Sequence, residues 1–565
     1  MNNSQTRRMW LVGFGFVFAA LIIIGRLVVF QVVQSQELVE RASQNNYQQI
    51  VARPDRGIIY DRNGAVLAGN GADYQVGASP SLIINAEEIA TALAPILGET
   101  RLDILARLES DYPYIILANR INSDAADAIR QHEFDGIQID PLPRRIYPQK
   151  ELMCHILGYT DFDGNGGAGL EGYYQRELAG EAASAEVNIS PLTEQYSVIA
   201  REGADLVLTI DRSVQQAVED HLRNAVGKYG AEGGTIIVLD PKTGAIIAMA
   251  NYPCYDPNEF YDVDEALLLN PAVSRQYEPG SVMKLITMAA ALDSGTVTPQ
   301  TTYYDSGVIE MGGYPMYNWD RGAHGTVDMT TLLARSLNVG AATIASWMGS
   351  DVYYNYMERF GFGRRTGIDL SAEAAGTMPM PGDEMWTETS LATNSFGQGL
   401  ASSPLQMISS ISALANDGYL MQPYVVAEIH SEGKVYTHEP TVLSRPIRPE
   451  TAHQVTAMAV NAVRTEVYEA QIEGYTIAGK TGTAQIPENG IYHPSDTIAS
   501  FVGWMPAEAP EIAVIIKLDR PTVSPWGSQT AAPTFAELAA DLAVMLNIPP
   551  DEVRLRADIQ AVRDE

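Results

Sequence analysis

In Gln276-Tyr-Glu-Pro-Gly-Ser281-Val-Met-Lys284, a hydroxyl and an amine stand where a Pro-Gly turn opens an apolar segment. The turn predicts a helix that begins near Ser281 and stops at Ser294-Gly295. Ser281 and Lys284 are spaced i, i+3, so both side chains lie on one face of the first turn. Their neighbours Val282, Leu285, Ile286 and Met288 are apolar. An amine buried among them loses its preference for the charged form and can take the proton of a serine nucleophile. The helix N-terminus adds unpaired N–H groups where an oxyanion would form. Ser431-Glu-Gly-Lys434 has the same spacing but reads as a polar turn between strands.

Two further stretches offer partners for that serine. Asp328-Met-Thr-Thr-Leu-Leu-Ala-Arg-Ser336-Leu-Asn338 reads as a short helix N-capped by Asp328 and ending at Ser336, before a second helix. Its Ser336 can relay a proton and Asn338 can hold a substrate carbonyl. Ser43-Gln-Asn45 has the same spacing without that context. Lys480-Thr481-Gly482-Thr483 lies in a strand-like run, Tyr475 to Ile486. On an edge strand the lysine can meet a carboxylate, the threonines can bind it, and Gly482 allows close approach of substrate. Lys242-Thr-Gly244 repeats the motif in a hairpin turn.

The elements that must hold these groups are legible around them. The hairpin Gly234 to Ala250 and the strand candidates at Tyr475 to Ile486, Ile498 to Trp504 and Ile512 to Leu518 predict a five-stranded antiparallel sheet flanked by helices. Upstream, Arg53 to Ala68 reads as a hairpin about Asp61-Arg-Asn-Gly64, and helical patterns cover Ala86 to Leu97 and Ser123 to His132. The pattern changes at Asp205, and a helix is expected from Ser213 to Tyr229. The expected divisions are 1–8 cytoplasmic, 9–33 membrane-spanning, 34–205 an elongated mixed domain, 206–548 the catalytic domain and 549–565 a charged tail. Gln34 to Gln49 is polar and could form a juxtamembrane helix.

The 565 residues are 46% apolar and 19% charged, as expected for folded domains, and carry a net charge of −32. That charge argues against nucleic acid and against broad docking on anionic lipid. From Met9 the chain is apolar through Val33 except at Arg26 and Gln31, long enough to span, with Arg7 and Arg8 ahead of it and no small-x-small cleavage site behind. An uncleaved single-pass anchor is expected, with the N-terminus inside and the remainder outside. Cys154 and Cys254 match no metal-ligand spacing and make no disulfide framework, though a bridge between them stays open. No metal or cofactor is expected. Gly164, Gly166 and Gly169 match G-x-G-x-x-G without a strand–helix unit around them. Asp161, Asp163 and Asn165 begin like a calcium loop, but Glu171 falls one residue short of the bidentate position.

Ser-x-x-Lys, Ser-x-Asn and Lys-Thr-Gly, in that order, are the motif set of β-lactamases and penicillin-binding proteins. Beyond the site, Arg56-Gly-Ile-Ile-Tyr-Asp-Arg-Asn-Gly64, Arg145-x-Tyr-Pro148 to Gly169-Leu-Glu171, Tyr277-Glu-Pro-Gly-Ser281 and Ser395-Phe-Gly-Gln-Gly399 resemble signatures of the class B penicillin-binding proteins. The resemblance runs from the anchor to about Ile548. It implies an α+β chain: a transmembrane helix, a pedestal and a transpeptidase domain of the serine β-lactamase-like fold. It implies Ser281 as nucleophile, Lys284 as base, Ser336 and Asn338 as proton relay and donor-stem holder, and Lys480, Thr481 and Thr483 as carboxylate binders. The N–H groups of Ser281 and Thr483 would form the oxyanion hole. The implied reaction cross-links peptidoglycan stem peptides with loss of D-Ala, and β-lactams would acylate the same serine. A glycosyltransferase of the shape, elongation, division and sporulation family is the implied partner, and activating it is an alternative role for the pedestal. Ser336-Leu-Asn-Val-Gly-Ala and Arg359-Phe-Gly-Phe-Gly363 are nearer to division-specific enzymes than to elongation types. A β-lactamase would need a deacylating base, and Glu388-Thr-Ser-Leu-Ala392 only approaches Glu-x-x-Leu-Asn.

Overall fold

The computed structural model describes residues 3–35, 47–52, 54–188, 200–488 and 491–556. By contacts these form two units, residues 1–55 with 180–203, and residues 56–179 with 204–565. In the first, helix α1 (Asn3–Val28) continues as a π-helical turn over Val29–Val33. Trp10–Val32 is, among the described residues, the one helix long and apolar enough to cross a membrane. The same unit pairs β1 (Tyr47–Ala52) antiparallel with β6 (Ala183–Asn188). The possible juxtamembrane helix is therefore replaced by strand at Tyr47 to Gln49, and 36–46 lie outside the described residues.

The second unit opens with a mixed sheet. The Asp61 turn joins β2 (Ile59–Tyr60) to β3 (Val66–Ala78), because Asp61 Oδ1 accepts the N–H groups of Asn63 and Ala65. Long β3 carries β4 (Ile115–Ile121) and β5 (Ile137–Ile146). β2 runs parallel to β7 (Asp205–Leu208), which continues the sheet to β10 (Val426–Ser431) and β11 (Lys434–Thr437). Helices α2 (Ala86–Leu97), α3 (Arg101–Leu108) and α4 (Ser123–Arg130) close a small core around Val76, Leu93, Ile104 and Ile129.

Two of the quoted signature stretches meet in this part. Glu171 is fully buried, with Arg56 Nε 2.6 Å and Arg145 Nε 2.7 Å from its two oxygens. The glycine-rich loop packs on the backbone at Glu171: a Cβ at Gly166 would lie 1.8 Å from the Glu171 carbonyl oxygen. Asp161, which resembled a calcium ligand, spends its oxygens on the N–H groups of Asp163 and Asn165 and on the Asn165 side chain.

The expected five-stranded sheet is present and antiparallel, in the order β12 (Ala478–Glu488), β13 (Ile491–Met505), β14 (Ile512–Asp519), β8 (Gly233–Leu239), β9 (Ile246–Tyr252). All of its pairings are antiparallel; the mixed sheet is the one described above. β8 and most of β14 are buried on both faces, which explains their unbroken Ile, Val and Leu runs. One face packs on α5 (Arg212–Tyr229) and α10 (Ala531–Met545) through Val218, Leu222, Phe535 and Leu538. The other meets α6 (Lys284–Asp293), which is apolar on every side and buried from Lys284 to Leu292. Helices α7 (Met329–Arg335), α8 (Asn338–Met348) and α9 (Pro449–Glu466) pack around it.

Candidate active site

The turn before Ser281 is built by close contacts that only glycine permits. Gly280 has φ +61, and Gly397 approaches so closely that a Cβ there would lie 2.1 Å from the Gly280 carbonyl oxygen. Gly280 N–H donates to Gly397 O at 2.9 Å, tying the turn to the Ser395-to-Gly399 loop. The first turn after it, Gly280–Met283, is a 3₁₀ turn, and the α-helix starts at Lys284. The tighter turn still leaves Ser281 and Lys284 on one face, since side chains three apart eclipse in a 3₁₀ helix.

Lys284 is the hub. Its Nζ lies 2.9 Å from Ser281 Oγ, 3.1 Å from Ser336 Oγ, 2.7 Å from Asn338 Oδ1 and 2.7 Å from the Ser336 carbonyl oxygen. The lysine is 1% exposed. Burial, then the positive charge of Lys480, holds its amine well below the ordinary lysine range. Asp328 caps α7 by accepting the Thr331 N–H, and the helix ends with Ser336 in the left-handed region at φ 59. That conformation is costly for a serine. It lets one residue present its hydroxyl and its carbonyl oxygen to the same amine. Asn338 opens α8 and donates Nδ2–H to Tyr317 O at 3.0 Å, which fixes Oδ1 toward Lys284.

Lys480 is 2% exposed on the edge strand β12, and burial pushes its pKa down to about 7, with Glu466 opposing. Thr483 Oγ1 accepts the Gly527 N–H at 3.2 Å. Gly482 also answers a packing demand within the protein. A Cβ there would lie 2.3 Å from Ser500 Oγ and 2.7 Å from Val282 Cγ2. Its absence lets the strand pack on the Ser281 turn. Ser281, Ser336, Asn338, Lys480, Thr481 and Thr483 all line one cleft of about 1100 Å³.

The decoys fall elsewhere. Ser431 and Lys434 face each other across the β10–β11 turn, and Lys242 is exposed in the β8–β9 turn. Glu388 is exposed at the start of the helix Glu388–Ser395 and does not line the cleft. Sequence reading missed Trp319 and Trp526, which line the cleft and stack edge to face at 5.6 Å. Trp319 Nε1–H donates to the carbonyl oxygen of Arg335, next to Ser336. The available signal was a large aromatic residue in each of two polar, turn-like stretches. It also left open the Cys154–Cys254 bridge, which is formed, with the Cα atoms 6.2 Å apart.

A buried serine–lysine pair braced by a second serine and an asparagine can deprotonate a hydroxyl and transfer an acyl group. A lysine beside a threonine-lined strand can receive a carboxylate. Residues 234–540 match the penicillin binding protein transpeptidase domain, and residues 51–208 match the penicillin-binding protein dimerisation domain. The chain is 31% identical to stage V sporulation protein D of Bacillus subtilis, over 98% of this chain and 88% of that one. It is 28% identical to the peptidoglycan D,D-transpeptidase FtsI of Escherichia coli, over 95% and 91%. Penicillin binding protein 3 of Mycobacterium tuberculosis, solved with ampicillin, superposes with a TM-score of 0.70 at 28% identity, covering 89% of this chain and 97% of that one. With both domain matches, near full-length relatives and the Ser281–Lys284–Ser336–Asn338 cluster in place, the chain belongs to the class B penicillin-binding proteins.

Proposed function

We propose that this protein is a peptidoglycan D,D-transpeptidase working through an acyl-enzyme on Ser281. The observation that carries the reading is the contact of the buried Lys284 Nζ with Ser281 Oγ, Ser336 Oγ and Asn338 Oδ1. Neutral Lys284 takes the Ser281 proton as Oγ attacks the carbonyl of the penultimate D-Ala of a donor stem. The N–H groups of Ser281 and Thr483 receive the oxyanion, and Lys480, Thr481 and Thr483 hold the terminal carboxylate. The proton passes by Ser336 to the departing D-Ala amine. An amine of a second stem then attacks the ester, gives its proton back by the same route and releases Ser281. β-Lactams fit the same sequence up to the acyl-enzyme, as the ampicillin-bound relative suggests.

The proposal extends to the rest of the chain. Residues 34–205 act as a pedestal and 206–548 as the transpeptidase domain, with 549–565 a charged tail. Residues 9–33 anchor it as a single span with the N-terminus inside. The pedestal is suited to engage a polytopic glycosyltransferase of the shape, elongation, division and sporulation family, in addition to the catalytic role. Likeness to a named FtsI and the quoted stretches around Ser336 and Arg359 favour septal over side-wall synthesis. The deciding experiment treats purified protein with fluorescent penicillin and maps the adduct. A single adduct on Ser281 is expected; an adduct on Ser431, or none, overturns the assignment. A fluorescent fusion confined to the side wall would overturn the septal role.

A further inference from the structure

Residues 147–162 of the pedestal are sewn to residues 251–270 of the catalytic domain by contacts of several kinds. Asn258 exchanges two hydrogen bonds with the backbone of Tyr147, at 3.0 and 2.9 Å. Tyr159 stacks on Phe260 at 4.7 Å. Asn270 donates Nδ2–H to the His155 carbonyl oxygen at 3.3 Å, and Asn270 also N-caps the helix Pro271–Ser274 on the way to Ser281. The Cys154–Cys254 bridge crosses this seam, joining residues 100 apart.

The surroundings of the bridge suit its making and breaking. Cys154 is buried and Cys254 half-buried, so Cys254 is the more open of the two to a reagent from solvent. His155 Nε2 is 2.9 Å from the Leu267 carbonyl oxygen and must carry the proton there. Nδ1 is then a lone pair, 3.0 Å from Cys154 Sγ and 4.0 Å from Cys254 Sγ. Burial keeps the ring neutral, with a pKa lowered to about 4. The opened state has acceptors ready: His155 Nδ1 for the Cys154 thiol, and the Glu151 carbonyl oxygen, 3.1 Å away, for the Cys254 thiol.

We propose that Cys154 and Cys254 form a reversible disulfide staple between pedestal and catalytic domain, exchanged at Cys254 with an exported dithiol–disulfide oxidoreductase and assisted by His155. This rests on the reading that these domains lie outside the membrane, where disulfides persist. In formation, the Cys254 thiolate attacks the oxidant's disulfide, giving a mixed disulfide and releasing one oxidant thiolate. His155 Nδ1 takes the Cys154 proton as that sulfur attacks Cys254 Sγ, and the second oxidant thiolate leaves and is protonated. Two protein thiols give up two electrons and two protons, and the oxidant becomes a dithiol. His155 is a positioning and proton-accepting residue of the staple and plays no part in acyl transfer.

The test uses full-length protein purified in detergent without reductant. After thiols are blocked with N-ethylmaleimide, digestion should yield the crosslinked Cys154–Cys254 peptide. Recovery of both cysteines alkylated, or a stoichiometric zinc ion held by Cys154, His155 and Cys254, overturns the proposal. Reduction should lower the midpoint of thermal unfolding to that of the Cys154→Ala/Cys254→Ala variant, and that variant should not respond to reductant. An unchanged midpoint on reduction removes the staple role. Reoxidation by glutathione disulfide at pH 7 should be slower in His155→Asn by about tenfold or more, converging with wild type at high pH where the thiolate forms unaided. Equal rates at pH 7 remove the base. Penicillin labelling of the same samples keeps the two readings apart. A crosslinked protein that does not label overturns the transpeptidase reading, whereas a labelled protein with free thiols overturns the staple.

Discussion

In the proposed mechanism the two buried lysines of the cleft divide the chemistry, and their roles set opposite demands on pH. Lys284 must be neutral to accept the Ser281 proton, and burial together with Lys480 drives it that way. Lys480 must be charged to hold a carboxylate, yet its pKa stands at about 7. Acylation by a carboxylate-bearing substrate should therefore rise with pH as Lys284 loses its proton and fall above about 7 as Lys480 loses its own. A profile of kcat/KM against pH, which reports the ionisations of the free enzyme, checks this, and a curve that keeps rising to pH 10 removes the role of Lys480. The Lys480→Ala variant should lose about 1.5–3 kcal/mol of transition-state binding, as expected for a charge-assisted hydrogen bond. Lys242→Ala, in its exposed turn, should react at the wild-type rate. Measured acylation rate constants decide both. The residue types of the site were legible because the chemistry requires them at fixed spacing. The left-handed Ser336 was not, since its strain exists only to turn a carbonyl oxygen and a hydroxyl toward one amine.

At the scale of elements, the hairpin strands β8 and β9 and the strand β14 could be read closely, because β8 and β14 are unbroken apolar runs bounded by turns, whereas β13 starts at Ile491, well before the expected Ile498, and β12 at Ala478 rather than Tyr475. The 3₁₀ turn at Ser281 could not, since it depends on Gly397 and Gly482, both remote in sequence, closing on Pro279-Gly280. The glycine-rich stretch 164–169 shows the same limit. Its composition resembled nucleotide and calcium loops, while its fold is dictated by a carboxylate further along and two arginines far away. Glu171 sits fully buried between Arg56 and Arg145, themselves nearly buried. Glu171→Ala would strand two guanidinium groups in a dry interior, and breaking such a network by removing one member costs about 3–5 kcal/mol. A much lower denaturation midpoint is expected, with the loop over 158–172 more open to proteolysis. A replacement of all three by apolar residues of similar volume should recover much of that loss. Chemical denaturation of the single and triple variants separates a structural network from a functional one, for which the triple variant would be as damaged as the single.

At the scale of the whole molecule, every side chain placed in the chemistry lies beyond Asp205, while the apolar helix ends at Val33. The strand pair β1–β6 belongs with that helix by contacts, whereas Arg56 already belongs with the catalytic unit. Catalytic competence and membrane attachment are therefore separable in the chain. A form beginning at Gln36 lacks Trp10–Val32, the one described helix with the length and apolar character to span a bilayer. It should label with penicillin at Ser281 at the wild-type rate, since the Lys284 contacts and the Glu171 network are intact in it. It should fail to support growth in place of the full-length protein even when exported. The proposed anchor would hold the enzyme at the membrane surface and so raise its effective concentration toward anything else held there. Labelling in vitro and rescue of a depletion strain report on the two properties independently. Labelling that needs the helix would show that the catalytic unit does not stand without residues 1–35. Rescue by an exported, untethered form would reduce the helix to a delivery signal, and the pedestal alone would then have to bring the enzyme to its substrate.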